Sequence, residues 1–308
     1  MISSFIMNRI PVFKLYNGVE IPSVGLGTYG LDETTIQTSL MAAFEVGAIL
    51  VDTASAYNNE HFIGNALSYL YQYHGLKRSD VLIETKIGDK LYSDGLPRGC
   101  CFYNSTSCYS HDTKRQVMEQ VEDSLKHLRT DYLDVLLIHW PYNDVLCELW
   151  KCLENLYDQK VVRAIGVSNF KVRHLRKIMD RANYIPMINQ ICISPINLLI
   201  EEYTFCRNHN IQIEAYSPLN MLRNQEIMNS HRQFFSLAEK YGKNISQVLL
   251  NWYYQKGIIT IPKSGNPDRV KMNTDIFDFE LEHKDIQYMD SLNYDYQYLV
   301  ESKFCPGY

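Results

Sequence analysis

The sequence predicts an α/β fold, a (β/α)8 TIM barrel with an N-terminal β-hairpin and C-terminal helical additions. Three observations carry this. Eight short runs of β-branched and apolar residues recur along the 308 residues, each as long as a buried parallel strand. Helical patterns fill the gaps, and strand–helix alternation repeated eight times describes a parallel barrel. The length accommodates one barrel of about 250 residues with additions.

Ahead of the barrel, VFKLYNGVEIP places Asn17-Gly18 between two extended runs, the strongest short hairpin signal. A hairpin over about 12–22 would plug the bottom of the barrel. The eight expected strands are VGLGT (24–28), ILVDT (49–53), VLIETK (81–86), LDVLLIHW (133–140), RAIGVSN (163–169), MINQICI (187–193), IQIEAYS (211–217) and IITIP (258–262). Helices are expected over 34–46, with Asp32 as N-cap, and over 59–73, 171–182, 198–208 and 233–255. Val117, Val121, Leu125 and Leu128 share one helical face, as do Val145, Leu149, Cys152, Leu153 and Leu156. Two further helices are expected at 266–273 and 283–292, ahead of a tyrosine-rich tail. No Pro/Gly/Ser linker divides the chain, so one domain over 1–308 is expected: hairpin, barrel over about 23–273, then helix and tail. Two long loops, 87–112 and 217–232, follow the third and seventh strands, on the face where barrel enzymes keep their sites.

With 46% hydrophobic and 21% charged residues, the composition supports a core that needs no disulfide staples. A net charge of −5 without blocks of like charge argues against nucleic acid or an anionic membrane as partner. No apolar run approaches a membrane span. The opening MISSFIMNRIPVF is too short and broken for a signal peptide, so a cytoplasmic location is expected. Of eight cysteines, none forms a CxxC pair, and reduced thiols are expected. Cys100, Cys101, Cys108 and His111 cluster in one loop, but their spacing fits no common zinc pattern and no metal is expected.

Gly25-Leu26-Gly27-Thr28-Tyr29-Gly30, followed by a helix pattern and then Asp52, imitates the βαβ dinucleotide fingerprint. Pro22 precedes it in a run too short for the first central strand of an open sheet. That reading also gives Asp52 to a ribose and leaves its neighbours without a common purpose.

Those neighbours are the informative ones. Asp52, Lys86 and His139 end three successive strand runs, and Tyr57 follows the first by five residues. Parallel neighbours lie about 4.8 Å apart. An acid, a phenol, an ammonium and an imidazole would then crowd one sheet edge, a mixture suited to moving a proton to or from an oxygen near neutral pH. Singly, each residue has a plainer explanation: a helix cap, a surface lysine, a core histidine, one tyrosine among 23. Their joint placement on consecutive strand ends favours chemistry.

From about Phe13 to about Asn293 the chain resembles the aldo-keto reductases. The likeness rests on VGLGTYG, VDTASAYNNE, ETKIG, LLIHWP, AIGVSNF, INQ, AYSPL and IPKS followed by Arg269, in that order and each at a strand end. The resemblance implies an NADPH-dependent reductase of aldehydes or ketones. It implies Tyr57 as general acid, Lys86 as the cation favouring its phenolate, Asp52 as the partner of Lys86, and His139 as the residue orienting the substrate oxygen. It implies that Ser168, Asn169 and Gln190 hold the nicotinamide carboxamide and that Tyr216 stacks on the ring. Ser217 and Leu219 would lie along the pyrophosphate. Lys263, Ser264 and Arg269 would take the 2′-phosphate and Asn273 the adenine, with Thr28 also in the cofactor set. Tyr29 and Trp140 would line the substrate pocket. The partner implied is a small-molecule carbonyl compound, bound by a monomer or weak homodimer. The chain departs from the family pattern at Met272-Asn273, where Glu usually precedes the Asn. It departs at Ile87-Gly88, where Leu-Trp is common, and at Asn220, usually Gly. A non-catalytic nucleotide sensor on the same fold is the alternative, and the complete tetrad favours catalysis.

Overall fold

The computed structural model describes residues 10–88, 113–142, 145–223 and 232–296. Strands β1 (Val12–Lys14) and β2 (Glu20–Pro22) pair antiparallel. Eight parallel strands follow: β3 (Leu26–Gly27), β4 (Leu50–Asp52), β5 (Leu82–Ile87), β6 (Leu133–Ile138), β7 (Val162–Ser168), β8 (Ile188–Ile191), β9 (Gln212–Tyr216) and β10 (Ile259–Ile261). They lie side by side in chain order. The ends of this sheet meet. Gly25 N–H donates to Thr260 O at 2.8 Å, Thr260 N–H to Ser23 O at 2.9 Å, and Gly27 N–H to Pro262 O at 3.3 Å. A Cβ on Gly27 would stand 2.7 Å from the Ile261 carbonyl oxygen. The glycine pattern around position 27 therefore serves barrel closure, and the dinucleotide-fingerprint reading falls.

The hairpin lies across the N-terminal end of the barrel. Tyr16 donates to Ile185 O at 2.7 Å and Asn17 to Arg163 O at 3.0 Å, close to where β8 and β7 begin. Around the barrel run α1 (Glu33–Glu45), α2 (Glu60–Tyr73), α3 (Thr113–Leu128), α4 (Leu146–Asp158), α5 (Val172–Met179), α6 (Ile200–Asn208), α7 (Arg232–Tyr241), α8 (Ile245–Gln255), α9 (Pro267–Thr274) and α10 (His283–Asp290). Asp32 caps α1 by accepting from Thr35 N–H at 2.9 Å. The continuous helix expected over 233–255 is two helices. Its apolar period runs through the break, but Gly242 and Lys243 end α7 and Asn244 restarts the chain with a capping box closed by Gln247. No helix among the described residues is long and apolar enough to cross a membrane.

Strand alternation decides what enters the barrel. On β5, Thr85 turns outward, where its hydroxyl meets Glu60 of α2 at 2.7 Å. Glu84 and Lys86, on the opposite face, are wholly buried in the interior.

Candidate active site

At the C-terminal ends of β4, β5 and β6 the four polar residues converge. Asp52 closes β4, and Tyr57 ends a single 3-10 turn (Ser55–Tyr57) just beyond it. His139 extends the β5–β6 ladder, donating its N–H to Ile87 O at 2.9 Å. The Lys86 ammonium is ion-paired with the Asp52 carboxylate and donates to Thr53 O at 2.9 Å. Burial alone would lower its pKa. The charges of Asp52, Tyr57 and Glu84 outweigh that and hold its pKa above the usual lysine range. The ammonium stands 5.3 Å from the centroid of the Tyr57 ring. His139 meets that ring edge-on at 5.9 Å and Tyr29 does so at 5.0 Å, while Trp140 stacks beside His139 at 5.9 Å.

A second group gathers at the ends of β7, β8 and β9. Asn169 sits at φ 64°. Its side chain donates to His139 O at 3.0 Å and accepts from the Tyr216 hydroxyl at 2.8 Å, joining the ends of β6, β7 and β9. Ser168 donates to Gln190 O at 3.1 Å. Ser217 is exposed and Leu219 half-buried, beside a small concavity whose lining includes Cys192, Ser194, Ser217 and Asn220. Around the start of α9, Asn266 caps the helix by accepting from Arg269 N–H at 3.1 Å. Lys263 and Arg269 are exposed there, and Ser264 and Asn273 are buried.

Two residues of the expected cofactor set make buried contacts inside the barrel. Thr28 is fully buried and donates its hydroxyl to Asp52 O at 2.8 Å, bracing the strand that carries the acid. The amide nitrogen of Gln190 turns into the barrel. It lies 3.0 Å from Asp52 Oδ1, 2.6 Å from Glu84 Oε1 and 2.6 Å from Glu214 Oε1. Glu84 and Glu214 are residues the sequence reading passed over. Their signal was available: Glu84 precedes Lys86 by two and Glu214 precedes Tyr216 by two, so each shares an interior strand face with a site residue. Burial, then the neighbouring carboxylates, push Glu84 well above the usual carboxyl range. Burial pushes Glu214 to about 7.

Ile87-Gly88 also has a physical reason. Gly88 stands at φ 117°, and a Cβ there would meet the Tyr142 ring at 2.2 Å. The aromatic ring of the β6 loop occupies the space a side chain at 88 would take. Gly88→Ala is expected to destabilise the fold by about 1–3 kcal/mol through backbone strain and overpacking, read as a lowered urea midpoint with unchanged m. The cysteines at 100, 101 and 108 and His111 lie outside the described residues, as do 224–231 of the other long loop. Among the described residues, Cys147, Cys152 and Cys206 are in no disulfide.

Comparison with known proteins agrees with this fold. The sequence model of the Aldo/keto reductase family matches residues 23–294. A glyoxal reductase of Bacillus subtilis is 36% identical over 285 residues, 92% of each chain. Methylglyoxal reductase DkgA of Escherichia coli K12 is 32% identical, over 89% of this chain and 90% of its own. Among solved structures, an aldo/keto reductase from Brucella melitensis superposes with a TM-score of 0.79 at 31% identity, covering 92% of this chain and 99% of that one. A Bombyx mori aldo-keto reductase in complex with NADP gives 0.83 at 26%, covering 96% and 97%. Matched across nearly all of its barrel and to relatives along almost their whole length, the chain belongs to the aldo/keto reductase family.

Proposed function

We propose that the protein reduces an aldehyde or ketone to an alcohol, with NADPH as reductant and Tyr57 as proton donor. The observation that carries this is the buried Lys86–Asp52 pair set under the Tyr57 ring, with the His139 ring against its edge. Lys86, kept charged by Asp52, favours negative charge on the phenol oxygen and so helps it release a proton. Tyr57 gives that proton to the substrate oxygen as the carbonyl carbon is reduced. His139 hydrogen-bonds and orients the same oxygen. Tyr29 and Trp140 supply aromatic walls suited to a substrate with some apolar body.

The residues present fit a dinucleotide. Tyr216, anchored through its hydroxyl to Asn169, offers a ring face for nicotinamide, and Ser168 and Asn169 offer polar groups for its carboxamide. Ser217 and Leu219 suit the pyrophosphate. Lys263, Arg269 and Ser264, at the start of α9, suit a phosphate on the ribose, since two cations and a helix N-terminus favour an anion. Asn273 suits the adenine. When bound, NADPH supplies the hydride.

A panel of carbonyl compounds tests the reading, beginning with glyoxal and methylglyoxal, the substrates named for two relatives. Each is run with NADPH and with NADH, following loss of the reduced-nicotinamide absorbance. Tight NADPH binding with no turnover across the panel would instead identify a sensor. Arg269→Ala is expected to raise the Kd for NADPH about 10–100-fold, the worth of a charge-assisted hydrogen bond, and to leave the Kd for NADH nearly unmoved. Equal losses for both cofactors would remove Arg269 from the 2′-phosphate.

A further inference from the structure

Three carboxylates and one ammonium are enclosed beneath the reacting groups. One oxygen from each of Asp52, Glu84 and Glu214 lies within 4.8 Å of the others, and all three side chains are buried. Fully ionised, they and Lys86 would put two uncompensated negative charges inside the barrel, an arrangement the interior strongly disfavours. The donors are also too few. The Gln190 amide has two protons and three carboxylate oxygens around it. The second oxygens of Glu84 and Glu214 are buried and meet no donor. Among the described residues, the other strands bring no further charge to this level: Val135 and Leu137 stand in register on β6, Ala164 and Gly166 on β7, and Ile259 on β10. Among the described residues, the titratable groups facing the cluster are thus Asp52, Glu84, Lys86 and Glu214, with Tyr57 above and His139 against the Tyr57 ring.

We propose that Glu84 and Glu214 share one proton, and that this pair is a positioning device for the tetrad. The proton supplies the missing donor and halves the excess charge. While it is held, Lys86 stays on Asp52 below Tyr57. When it leaves for solvent, a further negative charge appears under the phenol and makes the Tyr57 proton harder to remove. The elevated titration of both glutamates has the direction such sharing requires. The catalytic half of this proposal rests on the reduction reading above; the shared proton does not.

Two measurements decide it. In the wild-type protein, infrared spectroscopy should show the carbonyl stretch of protonated carboxylic acid near neutral pH, disappearing as pH rises. Glu84→Gln/Glu214→Gln should abolish that signal. Glu202→Gln is the control, because Glu202 is another glutamate whose pKa burial raises, and it should leave the signal in place. In E84Q and E214Q, with wild-type circular dichroism, the pH limb governed by Tyr57 should move down by about one pH unit in both reduction and alcohol oxidation, with KM for the carbonyl unchanged. No acid band near neutral pH, or an unmoved limb in folded single variants, overturns the proposal. If the wild-type protein turns over no carbonyl at all, the reduction reading fails separately, and the infrared measurement still decides the shared proton.

Discussion

Tyr57→Phe is expected to lower kcat for carbonyl reduction by about 10²–10⁴-fold, the usual worth of a positioned general acid, and to leave the Kd for NADPH within about threefold. The substitution removes one oxygen and keeps the ring. The edge contacts with Tyr29 at 5.0 Å and His139 at 5.9 Å therefore survive, and so does the cover over Lys86. What is lost, in the proposed mechanism, is the proton that must reach the substrate oxygen while the carbon receives hydride. In the proposed mechanism His139 still orients that oxygen, so KM should move much less than kcat. Stopped-flow measurement of the first turnover checks this, because it isolates the chemical step from cofactor release. A Tyr57→Phe enzyme whose first turnover matches wild type would take the phenol out of the chemistry.

Much of this site could be read before the fold was known, because strand ends are local features. ILVDT, VLIETK and LLIHW each announce a strand and its last polar residue, and parallel adjacency does the rest. Asp52 and Lys86 are 34 residues apart yet form one ion pair, as neighbouring strands require. The acid cluster could not be read the same way. Glu84 meets Gln190 across 106 residues and Glu214 meets it across 24, by pointing to the centre of a closed barrel. Alternation along a strand says that Glu84 shares a face with Lys86. It does not say which residues of distant strands stand opposite, because that depends on closure and stagger. The same limit applies to Gln190. Its place on β8 was evident, but the direction of its amide follows from the carboxylates that surround it. The break between α7 and α8 was missed for a different reason. The apolar period continues across the turn and outweighed the signals for it, Gly242 at φ 62° and the cap at Asn244.

Lys86→Met is expected to have the largest effect on stability, about 3–5 kcal/mol. Methionine matches the length and apolar stem of lysine, so the loss is that of the charge. Lys86 is the only cation facing Asp52, Glu84 and Glu214 among the described residues, and its side chain is wholly buried. Without it the acids must take up protons or stay unpaired. This gives the deficit a pH dependence of known sign. Glu214 already titrates at about 7 in the fold against an ordinary 4.5. A carboxyl raised in this way contributes stability that is full below the unfolded value and is lost as pH rises through the folded one. Removing the ammonium raises the folded values further and widens that window upward. The gap between variant and wild type in thermal midpoint should therefore be smallest near pH 4.5 and largest above pH 7. Glu214→Gln in the K86M background removes one of the stranded charges. It should restore stability by about 1 kcal/mol or more, leaving activity lost because Tyr57 still lacks its cation. Recovery of turnover along with stability would mean that Lys86 acts only by holding the barrel together. Stability without turnover would separate its charge on Tyr57 from its charge on the acids.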